Sequence, residues 1–151
     1  CENHLMQSWM PGRSISISLV SSGSSQTFLP AVSQSITGKE CEYVGGCGPL
    51  NDDAQRRASA LAARASAAMP PTARGFGGGD LILGDLPSDD CVIEINPRLT
   101  TSYVGLREMI HGNLAARLFD LETGPVRCRA SVESVRWTPD GSVTFDAPLV
   151  A

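Results

Sequence analysis

The feature that most constrains this chain is a pair of short apolar runs separated by a polar turn, within residues 75–107 (GFGGGDLILGDLPSDDCVIEINPRLTTSYVGLR). Gly77, Gly78 and Gly79 lead into Leu81-Ile82-Leu83, which has the length and composition of a buried strand. Residues 84–90, rich in Gly, Pro, Ser and Asp, read as a turn. Cys91-Val92-Ile93-Glu94-Ile95 reads as a second strand, stopped at Asn96-Pro97 because proline has no N–H to give to a ladder. Folded back as an antiparallel hairpin, the runs bring Asp80, at the start of one strand, near Glu94 and Asn96, at the end of the other. The period of two places Glu94 and Asn96 on one face and Ile95 on the opposite one. Three hard oxygen donors then converge, a set that suits Mg²⁺, which takes one or two carboxylates and fills its shell with water and phosphate oxygens. Arg98, two residues on, offers a guanidinium for a bidentate grip on an anionic oxygen. Acids at strand ends are also common as solvated surface, and Asn-Pro starts many ordinary turns. On these residues alone both readings stand.

The surrounding chain supplies a scaffold. Residues 14–19 (SISISL) alternate strictly, which predicts a half-buried strand with its serines outward. Residues 21–26 (SSGSSQ) read as a hairpin turn and residues 27–32 as the returning strand, which Pro30 pushes toward an edge or a bulge. Residues 33–50 read as a polar, Gly-rich loop; Gly45-Gly46-Cys47-Gly48-Pro49 lacks the Gly-Lys-Ser/Thr ending of a phosphate loop. Residues 51–69 are the clearest helix. Asn51 or a following Asp caps it, and Ala54, Ala58, Leu61, Ala62, Ala65 and Ala68 form a flat face suited to covering a sheet. Pro70-Pro71 ends it. Residues 103–119 predict a second helix with an apolar stripe of Leu106, Met109, Ile110, Leu114 and Leu118. His111 has no partner at metal spacing and reads as a surface or packing residue. The tail returns to strands around the turn at Thr138-Pro139-Asp140-Gly141. The expected class is α+β, an antiparallel sheet flanked by two main helices.

Composition removes several function classes. A length of 151 residues predicts one domain with a real core. A net charge of -4, with Lys39 the only lysine, argues against a nucleic-acid surface, which needs clustered cations. No apolar run reaches membrane-spanning length, so no membrane partner is expected. Cys1, Cys41, Cys47, Cys91 and Cys128 are odd in number, and Cys41-x5-Cys47 is not a standard zinc spacing. Free thiols suit a reducing, cytoplasmic setting.

Asp80, thirteen intervening residues, then Glu94-x-Asn96-Pro97-Arg98 resembles the C-terminal metal-binding signature of the ATP-grasp superfamily, whose carboxylate–amine ligases activate an acid as an acyl phosphate. The continuation through residues 99–107 (LTTSYVGLR) is similar to a narrower branch, the tyramine/tyrosine–glutamate ligases of methanofuran and methylofuran synthesis. The resemblance implies ATP and Mg²⁺ as cofactors, with Mn²⁺ as an alternative. Asp80, Glu94 and Asn96 would be the metal ligands, with Glu94 bridging two ions, and Arg98 the catalytic cation on the phosphoryl oxygens. It makes residues 7–10 the segment crossing the adenine, with Gln7 and Met10 as contacts. Ser14 stands nearest to where many relatives carry a ribose-binding Glu. It places Thr100, Thr101, Ser102 and Tyr103 beside a small-molecule carboxylate or amine, and Arg107 where a substrate carboxylate is held. Lys39 and Tyr43 border the nucleotide or acceptor, and Gln34 points toward the same cleft.

Such ligases also have an N-terminal substrate domain and a lid carrying two phosphate-binding lysines ahead of the adenine segment. Here Cys1 stands only a few residues before it. The whole of residues 1–151 is therefore expected to be the C-terminal portion of a ligase, inactive alone and partnered by its N-terminal half or a complementary subunit. An exposed apolar face is expected where those parts pack. The alternatives are a non-catalytic nucleotide- or partner-binding domain with the same fold, and a small α+β domain whose acids are surface decoration.

Overall fold

The computed structural model describes residues 6–22, 25–70, 72–120, 122–130 and 133–146. Pro71, part of the 21–26 turn and the far end of the tail lie outside the described residues. Among the described residues eight strands form one antiparallel sheet: β1 (Arg13–Ser22), β2 (Gln26–Phe28), β3 (Val32–Thr37), β4 (Glu42–Gly48), β5 (Arg74–Leu83), β6 (Cys91–Asn96), β7 (Ser134–Trp137) and β8 (Val143–Asp146). Their order is β6-β5-β1-β3-β4-β7-β8, with β2 also paired to β1. Among the described residues there are also three α-helices, α1 (Asp52–Ser66), α2 (Ser102–Met109) and α3 (Leu114–Leu118), and a single 3-10 turn at Pro87–Asp89.

The α1 face of the sheet follows from pattern. Ile15 and Ile17 of β1 and Leu81 and Leu83 of β5 pack on Ala54, Ala58, Leu61 and Ala62. Small residues let the helix lie close to the sheet, and each buried Ile or Leu contributes about 2 kcal/mol. Asn51 Oδ1 accepts from the Ala54 N–H at 3.0 Å, and Asp52 and Asp53 sit in the first turn, where the helix dipole favours acids. Arg57 fixes the helix to the β5–β6 turn. Its Nε donates to Asp90 Oδ2 at 3.0 Å and its Nη2 to the Gly84 carbonyl at 2.7 Å. Asp90 also accepts from the Gly84 N–H at 3.1 Å, so the turn that sets the hairpin register is clamped from the helix.

The opposite face departs from the sequence expectation. Ser16 and Ser18 are buried, not outward. Their side of the sheet leads into a second core, in which Val20, Val32, Phe76, Leu106, Met109, Leu114 and Trp137 pack together. Alternation marks two faces; here both are covered, which takes the tertiary arrangement of α2, α3 and β7 to decide.

Three elements were mis-drawn by the sequence. Residues 33–50 are not a loop but the β3–β4 hairpin, turned at Gly38 (φ 71°) and Cys41 (φ 55°). The expected second helix is broken in two. Gly112 takes φ 93°, the Ile110–Cys128 bridge and the His111 N–H to Arg127 carbonyl bond (2.8 Å) pull the chain out of the helix, and Asn113 caps α3 through the Ala116 N–H. In the tail, which reads as strands, the described residues 126–130 make one isolated bridge, Ile110–Cys128, and β7 begins at Ser134. Pro30, in contrast, interrupts the returning strand as expected, dividing it into β2 and β3. The following Ala31 N–H is satisfied by Gln55 Oε1 of α1 at 2.7 Å. No helix among the described residues is long and apolar enough to cross a membrane.

Candidate functional site

The hairpin forms in the expected sense but with a longer first strand. β5 begins at Arg74 and carries its glycines inside it, so Asp80 lies within the strand and not at its start. In register, Gly78 faces Asn96, Gly79 faces Ile95 and Asp80 faces Glu94. Beyond that pair the register shifts, Leu81 meeting Val92, so Ile93 is the extra residue of a β-bulge. A bulge turns its side chains off the regular alternation. Ile93 therefore lines the same cleft as Asp80 and Asn96, while Val92 packs toward α1.

Asp80 is the centre of the site. Its Oδ1 accepts from Gln34 Nε2 of β3 at 2.9 Å, and its Oδ2 accepts from Asn96 Nδ2 at 3.0 Å. The Gln34 contact crosses β1, which lies between β5 and β3. Residues 14 and 16 of β1 stand opposite Ile82 and Asp80, and both are serine. Their short side chains make a low floor over which Gln34 and Asp80 meet; a larger residue at 16 would fill that space. Burial, together with the charge of Glu94, pushes the Asp80 carboxyl above its ordinary value. The bonds from Gln34 and Asn96 and the charge of Arg98 pull it back in part.

The cleft has a volume of about 410 Å³. Ser14, Asp80, Asn96, Arg98 and Thr101 line it together. Glu94 is exposed beside Asp80, its register partner. Arg98 is held by a bond from Nη1 to the Leu99 carbonyl at 3.2 Å. Thr100 packs onto Gly78, where a Cβ would stand 2.6 Å from the Thr100 methyl carbon, so the 97–101 segment is seated against the β5 backbone.

Other expected site residues lie elsewhere. Ser102 borders the cleft, but its hydroxyl is buried and donates to Ser16 Oγ at 3.1 Å. Tyr103 packs edge-on against Phe76, ring centroids 6.1 Å apart, on the core side. Arg107 is exposed, pairs with Glu108 at 3.2 Å and does not line the cleft. Both depart from the reading that a run of hydroxyls and a following arginine face one substrate. Once Ser102 starts α2, successive side chains rotate by the helical period, and only the first of them borders the cleft. Gln7 is exposed, and Met10 lines a separate hollow with Gly12, Gly84 and Asp89. Lys39 is exposed outside the cleft. The sequence reading pointed Gln34 toward the cleft and gave no role to Ile36; both line it. The alternation of Gln34 and Ile36 was the available signal, obscured by reading residues 33–50 as a loop.

The donor set fits a hard divalent cation. Two carboxylates stand opposite one another on adjacent strands, one of them disfavoured in its charged form by burial and by the other. A cation would relieve that repulsion. Asn96 directs Nδ2 at Asp80, which leaves Oδ1 as a neutral third donor. Among the described residues no three His, Cys, Asp or Glu side chains converge, so the trio is two acids and an amide. One test of this geometry follows from Gln34. In metal-free protein, Gln34→Leu removes a bond that lowers the Asp80 pKa, so Asp80 holds its proton to higher pH. An NMR titration of the Asp80 carboxyl reads the shift, and superimposed curves for parent and variant would refute the contact.

The model of the ATP-grasp domain matches residues 1–102, and the chain belongs to that family. Among solved structures it is similar to an ATP-grasp superfamily protein from Archaeoglobus fulgidus (28% identity, 85% of this chain and 40% of that one, TM-score 0.64). It is also similar in fold to the L-amino acid ligase from Bacillus licheniformis (17% identity, 85% and 35%, TM-score 0.66). A third likeness is to a carboxyaminoimidazole ribonucleotide synthase from Aspergillus clavatus, solved with ATP (19% identity, 74% and 30%, TM-score 0.58). The chain thus spans 40% or less of the length of these proteins. Comparison with curated proteins gives no match.

Proposed function

We propose that this chain carries the metal and phosphate half of an ATP-dependent carboxylate–amine ligase that works through an acyl phosphate. The observation that supports this reading most is the Asp80 carboxylate, fixed from both sides by Gln34 and Asn96 and set opposite Glu94. Asp80, Glu94 and Asn96 would hold Mg²⁺ (or Mn²⁺), which when bound neutralises phosphate charge during phosphoryl transfer. Arg98, at the cleft wall, stabilises the anionic oxygens of the transferring group and of the activated acid. Ser14 lies on the cleft floor, where its hydroxyl reaches a ribose or a phosphate oxygen. Thr101 offers a further hydroxyl to the substrate. An amine then attacks the acyl carbon, the C–N bond forms, phosphate leaves and the amine gives up a proton. The adenine contacts assigned to Gln7 and Met10 belong to this reading through residue order. The tyramine/tyrosine–glutamate ligase-like branch rests on residues 99–107 alone. Turnover is expected only together with the parts that lie outside these residues in the longer neighbours, or with a complementary subunit, in a cytoplasmic setting.

Hydroxylamine trapping tests the reaction class. The native protein, incubated with ATP, Mg²⁺, a panel of carboxylic acids and hydroxylamine, is expected to yield ADP and a hydroxamate from the accepted acid. ADP without hydroxamate from any acid would overturn the acyl-phosphate route, and ATP binding without ADP would favour the non-catalytic alternative. That alternative explains less of the site, because binding a nucleotide without turnover does not require two opposed carboxylates and an adjacent arginine.

A further inference from the structure

The far end of the cleft is built around Tyr43. Tyr43 of β4 stands opposite Ile36 of β3 in the ladder, and both line the cleft that contains Asp80. Trp137 of β7 donates its Nε1–H to Tyr43 Oη at 2.9 Å. Trp137 itself is 3% exposed and is wedged between two glycines. A Cβ on Gly46 would stand 2.3 Å from its Cζ2, and one on Gly105 2.0 Å from its Cε3. The indole has one place to sit, so the terminal hairpin, which the sequence reading gave no chemistry, fixes the tyrosine hydroxyl. A phenol that accepts one bond still has its own O–H to donate. Of the side chains lining the cleft, only Asp80 and Arg98 are charged, and neither belongs to β3 or β4. Tyr43 lies three strands from Asp80 in the order β5-β1-β3-β4, roughly 14 Å between backbones.

We infer that Ile36 and Tyr43 form a tail subsite: the cleft takes an organic acid whose carboxylate lies at Arg98 and whose tail is uncharged, ending in a hydrogen-bond acceptor that receives the Tyr43 O–H. The direction of the acid rests on the ligase reading. A charged tail would lose part of its hydration against Ile36 and the phenol and find no counter-ion among the lining residues, which costs affinity. Trp137 is a positioning residue and Tyr43 the specificity-determining one.

Four six-carbon probes test this: hexanoate, 6-hydroxyhexanoate, adipate and 6-aminohexanoate. Binding is read by isothermal titration calorimetry on the native protein, with Mg²⁺ and ADP present. We expect 6-hydroxyhexanoate to bind most tightly, with adipate and 6-aminohexanoate weaker by about tenfold. Tyr43→Phe should remove the advantage of the hydroxy acid over hexanoate, about fivefold, while hexanoate affinity is unchanged, a split that a merely structural loss would not give. Equal binding of the charged probes, no binding by any probe, or an unchanged preference in Tyr43→Phe would overturn the subsite. Mn²⁺ binding is measured in parallel on the same samples. Its loss with the tail preference intact would count against the ligase reading and not against the subsite.

Discussion

Asp80→Asn is expected to abolish tight Mn²⁺ binding, to lower ADP formation by the native protein by about 10²–10³-fold, and at the same time to raise the melting temperature of the metal-free protein. The two effects share one cause. The folded-state pKa of Asp80 lies above its ordinary 3.8, chiefly through burial and then through Glu94. The folded state therefore binds the proton more tightly than the unfolded chain. The stability this provides is fully present below the unfolded value and is lost as pH rises through the folded one. At neutral pH the ionised carboxylate costs stability, and a neutral amide of the same shape removes that cost. Gln34 and Asn96 adapt to it, one donating to the new carbonyl and the other, its amide turned, accepting from the new NH₂. The opposition of stability and function is the mark of a site built for a ligand. Thermal unfolding of parent and variant at pH 7 with and without Mn²⁺ reads both. A variant that melts lower without metal, or that keeps the metal-induced rise in melting temperature, would refute the assignment of Asp80.

The second large effect is expected at Gly105, buried in α2 against Trp137. Gly105→Ala places a Cβ 2.0 Å from Cε3 and 2.3 Å from Cζ3 of Trp137, and the indole cannot retreat because Gly46 closes its other side. Overpacking a buried aromatic ring costs about 3 kcal/mol. Helix propensity returns about 1 kcal/mol on replacing Gly by Ala. The net loss of about 2 kcal/mol corresponds to roughly 4–8 °C in melting temperature for a chain of this size. The alternative to that loss is a shift of α2 away from β7. Such a shift would strain the Ser102–Ser16 bond and the 97–101 segment that carries Arg98. Denaturant and thermal unfolding measure the first outcome. An unchanged midpoint would show that the wedge around Trp137 is slack, and would weaken the argument that Trp137 fixes Tyr43.

The sequence by itself determined the acidic hairpin, the family and the α1 layer, because each is a local matter. Asp80, Glu94 and Asn96 lie within one pair of adjacent strands, so a two-residue period and a turn suffice to bring them together. The Asn51 cap and the alanine face of α1 are set by residues a few positions apart. What the sequence left open is everything that depends on strands distant in order. The serines of β1 read as solvent-facing, yet they are a buried floor. Only the placement of β3 beside β1 and the covering by α2 show that Gln34 reaches Asp80 over Ser16. Tyr103 and Arg107 looked like a continuation of the site. The turn into α2 sends one to the core and the other to solvent, because a helix rotates its side chains away from a contact that an extended segment would keep. Tyr43 and Trp137 are 94 positions apart, and no local pattern joins them. Local chemistry wrote the acidic hairpin into the sequence, and long-range strand pairing, which a two-residue period cannot report, decided what surrounds it.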